Sequence, residues 1–273
     1  MNIGRKRNTI DKYYTSQDTV KYCIDLIKKY IQINKQDDII IEPSAGNGSF
    51  INSIKMLCDN YLFYDLKPEH TDIIKKDFLK INKYAIQNKY KKIHMIGNPP
   101  FGRQSSLAIK FIKKSCEFCD TISFILPKSF KKTSLKNKIP LNFHLLLEKD
   151  LPKDSFIINN IKHDVPCVFQ IWVKKSYDRI KEPKYVSKYF YFVSKDDKPD
   201  LAIRRIGVNA GKIYDDTRNK NTNSHYFIKI ISTNKINTIS LIKKYNYNLF
   251  NNSVGPLSIS KQELIKFYNE VSL

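Results

Sequence analysis

Short apolar runs alternate with amphipathic stretches through the first two-thirds of the chain, and that alternation predicts βαβ units with a mainly parallel sheet. Strands are expected over 38–42, 61–65, 92–97 and 121–126, with a short one over 73–78. Residues 143–147 and 167–173 are further candidates, the second with the alternating polarity of an antiparallel edge. A helix is expected over 18–31, where Val20, Ile24, Ile27 and Ile31 share one face, another over 49–57, and a third around Leu107, Ile109, Phe111 and Ile112. After Val173 the texture changes. Residues 174–199 are charged and Tyr-rich, with Pro183 and Pro199 as breakers. Gly207, Gly211 and an Asn/Thr-rich loop over 219–223 follow, then a helix over 260–271 opened by a Ser260-x-x-Glu263 capping box. The reading is an α/β protein with a Rossmann-like, seven-stranded, doubly wound sheet in residues 1–176 and a smaller α+β module in 177–273.

At 273 residues and 41% hydrophobic, the chain can bury a full core, and no run approaches the ~20 apolar residues of a membrane span. The start, Met1-Asn2-Ile3-Gly4-Arg5-Lys6-Arg7, is basic with no apolar stretch behind it, unlike a secretory signal. Five cysteines, an odd number, fit a reducing intracellular compartment. Cys116 and Cys119 have Cys-x-x-Cys spacing without a second pair, which reads as packing, so no metal is expected. His70, His94, His144, His163 and His225 are scattered and form no spaced ligand set. The net charge of +22 favours a polyanionic partner, nucleic acid being the commonest. Compositional drift toward Lys, Asn, Ile and Tyr is the alternative source of that charge.

Two constellations carry chemistry. In Glu42-Pro43-Ser44-Ala45-Gly46-Asn47-Gly48, a buried strand turns into a helix, and Gly46 and Gly48 allow backbone to approach a ligand; a plain αβ turn would use the same glycines. Asp65 ends the next strand, placed to accept hydrogen bonds from ribose hydroxyls. Position 51 is Ile, which departs from the Gly-x-Gly-x-x-Gly of dinucleotide sites. The second constellation, Asn98-Pro99-Pro100-Phe101-Gly102, follows the 92–97 strand. The Pro99 carbonyl and the Asn98 side-chain oxygen can both point at one –NH2 group, and Phe101 can lie against a flat base. A rigid turn with a chance aromatic is the alternative.

In this order the motifs resemble the amino-group methyltransferases, which include adenine-N6 and cytosine-N4 DNA methyltransferases. Their signature is an acidic residue, Pro, two residues, then Gly-x-Gly for the cofactor, followed later by [Asn/Asp/Ser]-Pro-Pro-[Phe/Tyr/Trp] for catalysis. Asp11-Lys12-Tyr13-Tyr14-Thr15 resembles the family's N-terminal cofactor motif, with Ser16 in place of its proline. Asp77-Phe78 resembles the pair that holds and stacks on the cofactor adenine, and 124–130 and 168–172 resemble later strands. The likeness runs from residue 11 to about 175, and 98–172 is also similar to cap-specific adenosine-N6 methyltransferases of eukaryotic messenger RNA. The resemblance implies S-adenosylmethionine as cofactor, held by Tyr14, Thr15, Glu42, Pro43, Ser44, Gly46, Gly48, Asp65, Asp77, Phe78 and Asn98. It implies catalysis by Asn98, Pro99, Pro100 and Phe101, with Phe101 and Lys128 meeting the substrate. Beyond the stretch of likeness, the basic residues Arg204 and Arg205 of the C-terminal module, with Arg5-Lys6-Arg7, are expected to hold the phosphate backbone.

The chemistry also stands on physical grounds. An exocyclic amine is nearly planar and a poor nucleophile, and acceptors beside it favour a pyramidal nitrogen and stabilise its growing positive charge. No thiol is needed, in contrast to cytosine-C5 transfer. A duplex base reaches such a pocket only when flipped out. The expectation is methyl transfer to N6 of adenine, in DNA ahead of RNA. Cytosine-N4 transfer, glutamine methylation and a non-catalytic nucleic-acid-binding shell are the alternatives.

Overall fold

A computed structural model describes residues 13–86, 88–181, 183–231, 235–244 and 258–271. The basic cluster at Arg5-Lys6-Arg7, and Asp11 and Lys12, lie outside the described residues. The chain divides into two compact units, Met1–Lys181 and Glu182–Leu273.

The first unit runs β1 (Tyr14–Thr15), α1 (Gln17–Tyr30), β2 (Ile39–Glu42), α2 (Ile51–Leu57), β3 (Tyr61–Asp65), β4 (Ile74–Lys75), β5 (Ile93–Gly97), α3 (Ser106–Cys116), β6 (Thr121–Pro127), α4 (Thr133–Lys136), β7 (Phe143–Asp150), β8 (Phe156–Ile158), β9 (Ile161–His163) and β10 (Cys167–Lys174). Seven strands form one sheet in the order β4-β3-β2-β5-β6-β10-β7. Pairs from β4 to β6 are parallel, and β10 runs antiparallel to both β6 and β7. Alternation along β2 shows why both faces are covered. Ile39 and Ile41 pack into a cluster with Phe111 and Ile112 of α3, whereas Ile40 packs into a second with Val20, Ile24 and Ile27 of α1 and Ile51 and Ile54 of α2. The sheet is therefore doubly wound, as expected of a Rossmann-like α/β fold. Strand order reverses between β2 and β5, and the crevice beyond the carboxyl ends at such a reversal is where ligands of this architecture bind.

Three local features differ from the sequence expectations. Residues 167–173 do not form an edge: β10 lies inside the sheet and β7 is the edge. The polar residue that suggested an exposed face, Gln170, is fully buried and satisfied. It donates from Nε2 to the Phe130 carbonyl (3.2 Å) and to Glu148 (2.7 Å), and accepts from Trp172 Nε1 (3.0 Å). The third strand is only Ile74–Lys75, because Asp77 caps a 3-10 turn at Phe78–Lys80 by accepting from Leu79 N at 3.0 Å. The β8–β9 hairpin was not expected; it turns on Asn159 and Asn160, both at positive φ, and its first strand pairs with β1.

The second unit holds β11 (Phe190–Val193), β12 (Leu201–Arg204), β13 (Ile213–Tyr214) and β14 (His225–Ile230), then α5 (Lys235–Lys244) and α6 (Lys261–Val271). Its antiparallel sheet has the order β11-β14-β12-β13, and Phe190, Leu201, Ile203 and Ile228 share a core with Leu264 and Tyr268 of α6. The expected capping box is present. Ser260 N donates to Glu263 Oε2 (2.8 Å) and Glu263 N to Ser260 Oγ (3.2 Å). No helix among the described residues is long and apolar enough to cross a membrane.

Candidate active site

Three segments meet at the strand-order reversal: β1, the loop after β2, and the loop after β5. The loop after β2 turns through Gly46 (φ +56°) and Gly48 (φ +83°). It is tied to β3 by Ala45 N, which donates to the Tyr64 carbonyl, and by Gly46 N, which donates to Asp65 Oδ2 at 2.8 Å. The other Asp65 oxygen accepts from Lys67 N at 2.8 Å, so the carboxylate is fixed at the strand end while each oxygen keeps a lone pair. The Tyr14 ring lies against the same loop, 3.6 Å from where a Gly46 Cβ would stand. Its hydroxyl donates to Glu69, whose own N–H donates to the Gly46 carbonyl.

Glu42 ends β2 and is 2% exposed, and its Oε2 has no hydrogen-bond partner among the described residues. Burial, and secondarily the negative charge of Asp65, push its carboxyl well above the ordinary carboxylate range. It fits there because the neighbouring strand has glycine at 97: a Cβ at that position would stand 3.0 Å from Glu42 Cγ and 3.2 Å from Oε1.

Asn98 is the best-defined group. Its Nδ2 donates to the Tyr13 carbonyl (3.4 Å) and to Thr15 Oγ1 (3.3 Å), both on or beside β1. Because the Tyr13 carbonyl can only accept, the amide must turn its nitrogen toward β1. Its Oδ1 is buried with no partner among the described residues. The Asn98 backbone carbonyl accepts from Ser44 Oγ at 3.3 Å, joining the two loops. Asn98, Pro99, Pro100 and Phe101 line a cleft of about 140 Å³ together with Tyr13, Gly102 and Leu107. That lining contains no carboxylate, imidazole or thiol. All five cysteines are buried and free, and burial pushes the Cys116 thiol up to about 12.

The remaining expected residues are less concentrated. Pro43 continues the β2 loop. Asp77 is half-buried, capping its 3-10 turn, and Phe78 is 1% exposed with its ring stacked on Phe111 at 5.6 Å. Lys128 follows β6 and lies 3.7 Å from Asp150. Arg204 and Arg205 belong to the second unit. Arg204 donates to the Ile206 carbonyl (2.9 Å) and Ser224 Oγ (3.3 Å), while Arg205 donates to the Asn223 carbonyl (3.1 Å). Reading the sequence had missed the Tyr13 carbonyl and Glu69, which act by holding Asn98 and Tyr14 respectively. The Asn159-Asn160 pair between two apolar runs was the signal that could have shown β1 being pinned by a hairpin.

The chain matches no protein-family model. It is 35% identical over 106 residues to the Type II methyltransferase M.HincII of Haemophilus influenzae, a match covering 38% of this chain and 19% of that protein. It is 25% identical over 131 residues to Protein ENHANCED DOWNY MILDEW 2 of Arabidopsis thaliana, covering 45% of this chain and 10% of that one. The chain thus spans a small part of the curated relatives it matches. Among solved structures, the N-methyltransferase NodS of Bradyrhizobium japonicum, in complex with S-adenosyl-L-homocysteine, is similar with a TM-score of 0.42 at 7% identity, over 63% of this chain and 93% of that one. An rRNA methylase of Streptococcus thermophilus gives 0.39 at 13% identity, over 57% and 96%.

Proposed function

We propose that the chain is an S-adenosylmethionine-dependent methyltransferase acting on the exocyclic N6 amine of adenine in nucleic acid, with DNA favoured. In this reading residues 1–176 are catalytic and 177–273 hold substrate. One observation carries it: Asn98 Oδ1 is buried, without a partner among the described residues, and held in orientation by the two hydrogen bonds that its amide nitrogen donates, in a residue lining a cleft with Tyr13, Pro99, Pro100, Phe101, Gly102 and Leu107. A buried acceptor without a donor costs about 1–3 kcal/mol, and an –NH2 group of a flat ligand resting on Phe101 would satisfy it.

The cofactor fits the residues present. Glu42 is a buried carboxyl with an orphaned oxygen, suited to an ammonium group, and Asp65 has acceptor capacity left for ribose hydroxyls. In this reading Tyr14, Thr15, Pro43, Ser44, Gly46, Gly48, Asp77 and Phe78 would complete the cofactor site. When bound, S-adenosylmethionine supplies an electrophilic methyl on a sulfonium. Asn98 Oδ1 and the Pro99 carbonyl would draw the two amine hydrogens out of the base plane, localise the nitrogen lone pair and stabilise its positive charge as the bond forms. Since the cleft lining holds no carboxylate or imidazole, the amine proton passes to water at its mouth. The net charge of +22 and the partial likeness to a Type II methyltransferase support nucleic acid, and the latter favours DNA.

Incubating the full chain with methyl-labelled cofactor and separate DNA and RNA pools, then analysing the nucleosides by mass spectrometry, tests this. N6-methyladenine in DNA is expected. N4-methylcytosine would keep the residues in the same roles on the sister base, and no label in either pool would overturn the proposal.

A further inference from the structure

The second unit carries a basic hollow that the chemistry at Asn98 does not use. It lies where the end of β11 meets the start of β14, has a volume of about 410 Å³, and is lined in part by Phe192, Lys195, Arg205, His225, Tyr226 and Lys261. Three cations therefore face it, and its lining contains no carboxylate. Two of them sit over aromatic rings. Lys261 Nζ is 4.6 Å from the Phe192 ring centre and 5.9 Å from that of Tyr226, and the Arg205 guanidinium is 5.5 Å from Tyr226. The rings are themselves fixed, edge to face at 5.3 Å, and the Tyr226 hydroxyl donates to the Ile259 carbonyl at 3.0 Å. Cations held on ring faces are positioned without a counter-charge, and their mutual repulsion makes the empty hollow receptive to an anion.

Arg204, the neighbour of Arg205, differs. Its guanidinium bonds the Ile206 carbonyl and Ser224 Oγ, which makes it a strut within the unit. Among the described residues Arg205 donates from Nε alone, to the Asn223 carbonyl, one of the five donors a guanidinium carries.

We infer that this hollow binds a phosphodiester of a nucleic-acid strand through Lys195, Arg205 and Lys261, with Phe192 and Tyr226 holding the cations in place. The inference rests on the nucleic-acid reading above and locates the backbone contact in the second unit. A phosphate there positions the strand and reads no sequence.

The test is fluorescence anisotropy with the full chain and labelled DNA and RNA oligonucleotides, titrated from low to moderate salt, for wild type and Lys195→Ala/Lys261→Ala. Neither lysine makes a side-chain hydrogen bond or ion pair among the described residues, and matching thermal unfolding of the variant checks that it folds. Lys261→Glu, at the exposed first residue of α6, is the second variant, since an acidic residue there suits a helix start. Losing one phosphate contact lowers the log–log salt slope by about 0.9, so the double variant should lose up to roughly 0.9 and bind about tenfold more weakly near 0.1 M salt. Wild-type affinity and slope in both variants would overturn the site while leaving the nucleic-acid reading intact. Wild-type protein that binds cofactor but no oligonucleotide would overturn both. Loss of binding to phosphatidylserine vesicles with oligonucleotide binding unchanged would overturn it in favour of an acidic lipid surface.

Discussion

A side-chain amide offers two donors and one acceptor oxygen, and its surroundings decide which end meets a ligand. At Asn98 both bonds to β1 are made by Nδ2, and the buried oxygen is left without a partner among the described residues. Such a contact strengthens as charge grows on a bound amine, so it belongs to the transition state more than to the ground state. Asn98→Ala should lower kcat by ~10²–10³ with little change in cofactor affinity, measured by single-turnover methyl transfer and calorimetry. Undiminished transfer would remove Asn98 from the mechanism. Glu42 makes a different prediction. Its folded-state carboxyl is raised by burial above its unfolded value, so the stability it contributes is full at acid pH and is lost as pH rises through the folded value. Glu42→Gln should therefore stabilise the ligand-free protein more at pH 8 than at pH 5, read from thermal midpoints at both. The same change should weaken cofactor binding by about 1–3 kcal/mol, because the ammonium partner is lost. A stability difference that does not vary with pH would show that Glu42 titrates normally.

At the level of elements, the sheet was legible because its strands are short continuous apolar runs, and burial on both faces demands that pattern. The Asn-Pro-Pro-Phe and Glu-Pro-x-x-Gly-x-Gly loops were legible because few residue types tolerate their turns. What sequence could not give was satisfaction of buried polar groups: Gln170 reads as exposed until Glu148 and the Phe130 carbonyl are seen beside it. Ser16 is a similar case. It stands where the resembling family carries proline, and its φ of −66° is one that proline would adopt. Serine adds two things there: its N–H donates to the Ser155 carbonyl at 3.0 Å, tying β1 toward β8, and its Oγ accepts from Thr19 N at 3.3 Å to cap α1. Ser16→Ala should cost about 1 kcal/mol through loss of the cap. Gly97→Ala should cost more, about 1–3 kcal/mol, since Gly97 has a φ of +145°, which strains any L side chain, and the new Cβ falls 3.0 Å from the buried Glu42 Cγ. Chemical denaturation of both variants orders the two effects, and equal costs would mean Glu42 moves aside freely.

For the whole molecule, the hydrophobic clusters decide how a ligand's stabilisation spreads. The two clusters that sandwich the large sheet contain residues of the first unit only, and the cluster of Phe190, Ile228, Leu264 and Tyr268 contains residues of the second only. Among the described residues no buried side chain belongs to both, and the expectation is that each core opens and closes on its own account. A cofactor held by Glu42 and Asp65 stabilises the state in which β2 and β3 are folded, and with them β5, which pairs with β2. At a hundred times its dissociation constant it should raise the opening free energy of that core by about 2.7 kcal/mol. Hydrogen exchange followed by mass spectrometry resolves this by segment. With S-adenosylmethionine alone, the slowest amides of β2 and β5 should exchange about a hundredfold more slowly, and those of β12 and β14 should keep their rates. Adding an oligonucleotide should then slow exchange around Arg205 and Tyr226, where a phosphodiester is proposed to sit. Equal slowing of β14 by the cofactor alone would show that the two cores open together, and the assignment of cofactor to one unit and strand backbone to the other would have to be abandoned.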